Sequence, residues 1–460
     1  MLIFETDDPV TPITLVGQIE FAGWREAQSE THGQWLDNAS FEGRANQYAW
    51  LPDDDGRPSK LVAGTSERIT IESLGELAFK LPEGVYQLDA KPGGRNAALS
   101  ADDRYDALLG WALGAYRFRD YKASDREAAR LLVRAKDSAV LDELEAINLC
   151  RDLINTPTSD MLPHDLEAAA RKLATAFDAT IGVTVGDELL RKRFNTIHAV
   201  GRASASAPRL IDITWGDPSH PKVTLVGKGV CFDSGGLDIK TAAGMRLMKK
   251  DMGGGAHALG LARLIMSRGL PVYLRTLVPA VENAISSNAY RPGDILRSYK
   301  GLTIEIENTD AEGRLILCDA LTLAAEDKPA LIVDFATLTG AARAALGTEL
   351  PAMFTNDDDV ANAIIEQGLA CGDPVWRLPL HKPYDSMLDS KIADVANAAS
   401  SPYGGAITAA LFLQRFVDGV PWVHFDIMGL NNRSRPAHPE GGEAFALRAV
   451  YRYIEQAFTG

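Results

Sequence analysis

The sequence contains little cysteine and lacks the short motifs that mark the common hydrolase classes. Its 460 residues include four cysteines, which lie far apart and form no CxxC pair. This spacing excludes a disulfide framework and a thiolate zinc site, and it predicts reduced thiols packed in the interior. No HExxH and no GxSxG motif occurs, so nothing supports a zincin or a serine hydrolase of the common type.

An excess of positive charge and long apolar runs are also missing. The chain has 47 Lys+Arg against 62 Asp+Glu and a net charge of -15, which argues against nucleic-acid binding and against docking on anionic membranes. No stretch approaches the roughly 18 apolar residues that a membrane span requires. The first residues lack the basic and apolar segments of a signal peptide. We therefore expect a cytoplasmic protein without membrane or nucleic-acid partners.

The patterns that are present predict an α/β protein of two or three domains. Residues 1–125 predict a small N-terminal α/β domain, residues 126–160 a linker region with a helix from Ser138, and residues 161–460 a larger C-terminal domain. In that larger domain, short apolar runs predict strands over residues 224–226, 272–278, 302–306, 331–335 and 422–427. Helical patterns lie near residues 253–268, 314–325, 405–416 and 442–457. This alternation predicts a mainly parallel sheet flanked by helices.

Three polar loops follow or precede these elements, and together they contain four carboxylates of interest. Asp310 and Glu312 have one residue between them, so both side chains can converge on one point. Asp233 and Asp251 lie in the other two loops. Clustered carboxylates repel one another unless a cation neutralises them. Brought together, the four would suit two divalent cations, and oxygen ligands admit Mn, Mg or Zn.

Each of these residues also has an ordinary interpretation. Asp233 in a glycine-rich turn is typical of turn chemistry, Asp251 could cap the next helix, and lysines are usually surface charges. The loop around Lys228 fails as a dinucleotide fingerprint, because Phe232 occupies the place of the third glycine. Pattern alone leaves these interpretations open, since it does not show that the three loops meet.

Longer motifs show a resemblance to a known family. Residues 223–340 resemble the leucyl aminopeptidase family (M17) of dinuclear metallo-exopeptidases, because several of its segments occur here in order. These segments are VGKG at 226–229, FDSGG at 232–236, IK at 239–240, DM at 251–252, NTDAEGRL at 308–315 and ATLTG at 336–340. The likeness covers about residues 140–460. We find no such motif in the first 120 residues.

The resemblance implies a metal-dependent aminopeptidase, with residues 161–460 as the catalytic domain and two divalent ions, Mn or Zn and possibly Mg, per subunit. It assigns the metal ligands to these positions: Lys228, Asp233, Asp251, Asp310 and Glu312. Lys240 would stabilise the oxyanion, and Arg314 would hold a bicarbonate that relays a proton of the attacking water. Peptides with a free N-terminus would be the substrates, and a homo-hexamer the assembly.

The resemblance also implies a pocket for the first side chain of the substrate. Met248, Thr337 and Gly340 would line it, and an apolar lining would favour Leu- or Met-like residues. Met428 replaces the small residue expected at its position, so we expect it to narrow the pocket. Two other functions stay open at this point. One is a catalytically silent binding or regulatory protein, and the other is a nucleotide or ADP-ribose binder acting through residues 1–120.

Overall fold

The computed structural model of the chain describes residues 1–88 and 99–459. These residues form two compact units. The first takes in Met1–Glu145 and Arg433–Glu440, and the second takes in Ala146–Asn432 and the C-terminal segment from Gly441. The helix predicted from Ser138 is observed as Ala139–Asn155, and the division between the units falls inside it.

The first unit is an α/β domain, as the sequence predicts. Its strands are β1 Leu2–Ile3, β2 Val10–Gly17, β3 Tyr48–Pro52, β4 Pro58–Thr65, β5 Val85–Leu88 and β6 Arg130–Leu132. They form a sheet of order β1-β6-β5-β2-β4-β3, in which only the β3–β4 pair of the described residues is antiparallel. Its helices are α1 Gln18–Glu26, α2 Glu30–Asn38, α3 Leu77–Lys80 and α4 Ala101–Gly114.

The second unit is built on a larger sheet. Its strands, some of them in smaller sheets, are β7 Thr180–Val185, β8 Arg209–Trp215, β9 Lys222–Gly227, β10 Gly229–Asp233, β11 Tyr273–Asn283, β12 Ile295–Arg297, β13 Thr303–Glu305, β14 Leu331–Ala336, β15 Ala352–Thr355, β16 Trp376–Arg377, β17 Val395–Ala396, β18 Trp422–Asp426, β19 Leu430–Asn431 and β20 Gly441–Gly442. The large sheet has the order β16-β15-β18-β14-β9-β11-β8-β7, and β10 pairs with β11. Its centre, β18-β14-β9-β11, is parallel.

The helices follow the same alternation. After α5 Ala139–Asn155 they are α6 Pro163–Ala176, α7 Asp187–Arg191, α8 Asn195–Gly201, α9 Ala242–Met245, α10 Gly253–Ser267, α11 Glu312–Glu326, α12 Gly340–Leu346, α13 Asp358–Cys371, α14 Gly405–Gln414 and α15 Leu447–Phe458. Short 3-10 helices include Met248–Met252 and Lys382–Leu388. Within the described residues, no helix is both long and apolar enough to cross a membrane.

Helices cover both faces of the central strands, which explains why those strands are mostly apolar. All of β14 is buried. Ile332 and Ala336 belong to a cluster that includes buried residues of α11 and α14. Phe335 points to the opposite face by the alternation of a strand, where its ring lies 5.6 Å from that of His257 on α10.

Two predicted elements differ from the structure. The run at residues 302–306 forms β13, which belongs to a separate sheet of order β12-β13-β17 and not to the large one. The C-terminal helix starts at Leu447, later than the expected residue 442. Gly442 instead pairs with Leu430 across β19 and β20, so Gly441–Gly442 form a short strand before the helix begins.

Gly254 allows α10 to approach the strands that carry the site. A Cβ at this position would lie 2.1 Å from the carbonyl oxygen of Phe335 and 2.7 Å from the amide nitrogen of Lys228. We expect Gly254→Ala to lower the free energy of unfolding by about 1–3 kcal/mol, because backbone cannot yield as a flexible side chain does. Urea unfolding measures the change. Gly182→Ala is the control, since its Cβ would meet nothing within 4 Å, and equal losses for both variants would contradict the prediction.

Candidate metal centre and active site

The three polar loops meet at the carboxyl ends of the parallel strands, where such sheets place their working residues. Lys228 lies between β9 and β10, Asp233 ends β10, and Glu312 begins α11. Oxygen atoms of Asp233, Asp310 and Glu312 all lie within 4.8 Å of one another. Asp251 joins them from the 3-10 helix before α10.

Lys228 connects Asp251 to the other carboxylates. Its Nζ lies 2.8 Å from Asp251 Oδ2 and 2.8 Å from Glu312 Oε1, and it donates to the carbonyl oxygen of Thr337 at 2.9 Å. The side chain is buried, so it is not a surface charge. Burial by itself would lower the pKa of Lys228, but Asp251, Glu312 and Asp233 outweigh it and hold the pKa above its usual value.

Asp251 does not cap the helix that follows it. No side chain caps the N-terminus of α10. Asp251 Oδ1 instead accepts a hydrogen bond from Thr337 Oγ1 at 2.8 Å. Burial would raise the pKa of Asp251, but the positive charges of Lys228 and Lys250 lower it to about 2.

Lys240 occupies the other side of the cluster. Its Nζ lies 2.8 Å from Asp233 Oδ2 and also pairs with Asp310. Asp233 is held by its own turn as well, because the Gly235 amide donates to Oδ1 at 2.9 Å. Burial opposes the charged form of Lys240, but the carboxylates of Asp233 and Asp310 raise its pKa above the usual value.

The carboxylates carry more negative charge than the two lysines satisfy. Burial and then the charge of Asp233 raise the pKa of Glu312 to about 8, and the same two causes raise that of Asp310 to about 6. Glu312 Oε2 is buried and has no hydrogen-bond partner within the described residues. Oxygen donors that repel one another, one of them unsatisfied, fit the chemistry of divalent cations.

Arg314 lies in the first turn of α11, beside these carboxylates. It is buried, and its Nη1 donates to the carbonyl oxygen of Asn397 at 2.8 Å. Its Nε is buried without a hydrogen-bond partner in the part of the chain that the structure describes. Burial lowers the pKa of Arg314 to about 10, so the guanidinium stays charged at neutral pH with one N–H free to donate.

A cavity of about 570 Å³ opens onto the cluster. It is lined by all ten residues to which the resemblance assigns a ligand, catalytic or pocket role: Lys228, Asp233, Lys240, Met248, Asp251, Asp310, Glu312, Arg314, Thr337 and Gly340. Met428, which we expected to narrow the pocket, does not line this cavity.

Comparisons with known proteins identify the family. Residues 148–451 match the catalytic domain of the cytosol aminopeptidase family, and residues 11–134 match the M17 aminopeptidase N-terminal domain. The chain belongs to the cytosol aminopeptidase family. It is therefore a metal-dependent aminopeptidase, and the acidic cluster is a possible site for its metal.

Individual relatives match over nearly the whole length. A probable cytosol aminopeptidase of Syntrophotalea carbinolica is 41% identical over 457 residues, which cover 92% of this chain and 91% of the relative. The cytosol aminopeptidase of Coxiella burnetii has a crystal structure that matches with a TM-score of 0.95 and 47% identity, covering 99% of each chain. The bottromycin maturation enzyme BotP in complex with Mn matches with a TM-score of 0.86 and 33% identity, covering 98% of this chain and 99% of BotP.

The match to the family's N-terminal domain corrects one conclusion from the sequence. We found no family motif in the first 120 residues, yet residues 11–134 match that domain. Nucleotide or ADP-ribose binding through residues 1–120 stays an untested alternative, for which we expect a negative result.

Asn283 is a site residue of this aminopeptidase that the sequence analysis missed. Its Nδ2 donates to Asp233 Oδ1 at 2.8 Å and to the carbonyl oxygen of Thr309 at 3.1 Å. It lies beside Asp233 because the two residues pair across β10 and β11. The sequence predicted a strand that ends at Val278, but β11 continues to Asn283, so Asn283 was not placed beside Asp233.

We expect Asn283→Ala to weaken metal binding by about 10–100-fold, because a partner that orients a ligand typically contributes that much. The Mn concentration that gives half-maximal activity measures the change. Asn362→Ala is the control, since Asn362 is exposed on α13. An unchanged Mn requirement in Asn283→Ala would contradict the orienting role.

Proposed function

We propose that this aminopeptidase removes the N-terminal residue from peptides with two divalent ions, Mn or Zn and possibly Mg. Lys228, Asp233, Asp251 and Glu312 would hold one ion, and Asp233, Asp310 and Glu312 the other. The observation that carries this proposal is the buried carboxylate cluster, in which Glu312 Oε2 lacks a partner within the described residues. When bound, the ions would lower the pKa of a water molecule and polarise the substrate carbonyl.

Lys228 and Lys240 would respond differently to the ions. Lys228 must lose its proton to offer a lone pair, and dications next to it would disfavour its ammonium form. Lys240 would keep its proton. Once Asp233 and Asp310 are neutralised by the ions, its ammonium would no longer be needed as their partner and could donate to the oxyanion that forms during attack.

Arg314 would hold a bicarbonate ion through the N–H that has no partner among the described residues. A helix N-terminus adds favourable backbone N–H groups for a small anion. When bound, this ion would supply a base for proton transfer, and Arg314 would hold and orient it.

The free α-amine of the substrate would bind one of the ions together with Asp251. An internal peptide bond offers no free amine there, which would explain exopeptidase action. Met248, Thr337 and Gly340 would line the pocket for the first side chain. We further propose a homo-hexamer in the cytoplasm, by analogy with the family.

Release of the N-terminal residue from Leu-p-nitroanilide tests this function. We expect activity with added Mn or Zn, loss of activity with a chelator, and recovery when metal is returned. A metal-loaded protein that cleaves no peptide with a free N-terminus would contradict the proposal. That result would favour the silent binding protein, although Lys240 and Arg314 both line the cavity, as a working enzyme requires.

A further inference from the structure

Two cationic side chains adjoin the predicted pocket for the first side chain, and the roles proposed above use neither of them. Lys250 and Arg343 line the same cavity as Met248, Thr337 and Gly340. Both are close in sequence to predicted pocket residues. Lys250 follows Met248 by two positions, and Arg343 follows Gly340 by three. Their charge would therefore act on the substrate side chain.

Lys250 is buried with little to neutralise it. It is 2% exposed, and its Nζ has one ion-pair contact among the described residues, to Asp251 Oδ1 at 3.4 Å. That oxygen already accepts from Thr337 Oγ1 at 2.8 Å. The other oxygen of Asp251 pairs with Lys228 at 2.8 Å. Three side chains therefore contact this carboxylate, and the contact of Lys250 is longer than those of Lys228 and Thr337.

Arg343 reaches the same region from α12. One of its guanidinium nitrogens lies 3.7 Å from the position that a Cβ of Gly340 would occupy. In the described ranges 1–88 and 99–459, no carboxylate forms an ion pair with it. The residue is half-buried.

Among the described acids of the cavity, only Asp251 pairs with either cation, through its 3.4 Å contact with Lys250. The carboxylates that line it are Asp233, Asp251, Asp310 and Glu312, and all four are proposed metal ligands. Divalent ions bound to them would take up their negative charge. Burying a cation with so little compensation costs free energy, so an anionic group on the substrate would bind favourably beside Lys250 and Arg343.

We infer that this pocket accepts an acidic first residue, so that peptides beginning with Glu or Asp are substrates at least as good as those beginning with Leu. The inference rests on the proposed aminopeptidase function. Lys250 and Arg343 would set this specificity by pairing with the side-chain carboxylate, while the attack on the peptide bond would use the residues already described.

The test compares kcat/KM of the full-length, Mn-loaded protein on Glu-p-nitroanilide, Leu-p-nitroanilide and the dipeptide Leu-Gly. We expect a Glu-to-Leu ratio of one or higher. Lys250→Met and Arg343→Met should each lower that ratio by about tenfold or more, chiefly through the Glu substrate. Arg343 is half-buried, so its replacement keeps the test valid if Lys250→Met fails to fold.

Two further measurements sharpen the comparison. Lys391→Met is the control, because it removes one positive charge from an exposed position and should leave the ratio unchanged. Calorimetry of L-glutamate and L-leucine binding to the Mn-loaded protein reports the same preference without turnover. Tighter binding of glutamate, weakened in Arg343→Met, is expected.

The possible results distinguish a failure of the predicted acidic preference from a failure of the proposed aminopeptidase function. Cleavage of Leu-p-nitroanilide with a Glu-to-Leu ratio far below one would overturn the inference and leave the aminopeptidase function intact. A loss confined to Leu-Gly in the two variants would show that the cations hold a C-terminal carboxylate, which also overturns it. No cleavage of any of the three substrates would overturn the proposed function itself.

Discussion

Replacing Glu312 by glutamine is expected to abolish detectable aminopeptidase activity and to weaken metal binding by more than the roughly 10–100-fold typical of an orienting partner. Glu312 belongs to both parts of the cluster, the part around Lys228 and the part formed with Asp233 and Asp310. It contacts Lys228 through one oxygen, its other oxygen is buried without a partner among the described residues, and its oxygens lie near those of Asp233 and Asp310. An amide has the same shape but offers no negative charge to a dication.

Metal binding by calorimetry and hydrolysis of Leu-p-nitroanilide measure the two effects. Glu366→Gln is the matched control, because Glu366 is exposed on α13. Retention of normal activity by Glu312→Gln would rule out the proposed role of Glu312 as a ligand of both ions.

The stability of the metal-free protein gives an independent reading of the same substitution. Burial and Asp233 raise the pKa of Glu312 from 4.5 to about 8, so this group favours the folded state below pH 4.5 and disfavours it increasingly up to pH 8. The free energy of unfolding of the metal-free parent should therefore fall between pH 5 and pH 8 relative to that of Glu312→Gln. Saturating metal should abolish this fall in the parent, because a bound ion would neutralise the carboxylate.

The sequence predicts the central strands and the metal ligands for different reasons. Strand β14 is recognisable because both of its faces are buried, which makes five of its six residues apolar, Asp334 being the exception. The proposed ligands are recognisable because they lie in long motifs that resemble those of a known family. Neither signal shows that the loops around Asp233, Asp251 and Glu312 converge, since that depends on the order of β9, β10 and β14 in the folded chain.

Residues that act through burial or pairing escape sequence analysis. Asn283 was missed because β11 continues beyond its apolar run, and an asparagine after a proline-containing stretch is typical of a loop. Lysine and arginine usually lie at the surface, so the sequence gives no reason to single out Lys250 and Arg343. Their significance comes from their position on the cavity wall, which depends on how the 3-10 helix and α12 pack beside the strands.

Lys240→Met is expected to lower kcat on Leu-p-nitroanilide by about 10²–10³-fold, the usual loss for one oxyanion donor. The ammonium lies 2.8 Å from Asp233 Oδ2, a carboxylate that a dication would also contact. Removing it takes away a competitor of the metal. The affinity for Mn should therefore stay the same or rise while catalysis falls.

This opposite response distinguishes an oxyanion donor from a residue that only holds the cluster together. Metal titration by calorimetry and kcat measured at saturating Mn report the two quantities separately. Lys172→Met, which alters an exposed residue of α6, should change neither, and Lys240→Arg should recover part of kcat because a guanidinium can also donate. A fall in Mn affinity that accounts for the whole loss of activity would mean that Lys240 supports the ligands and does not act on the substrate.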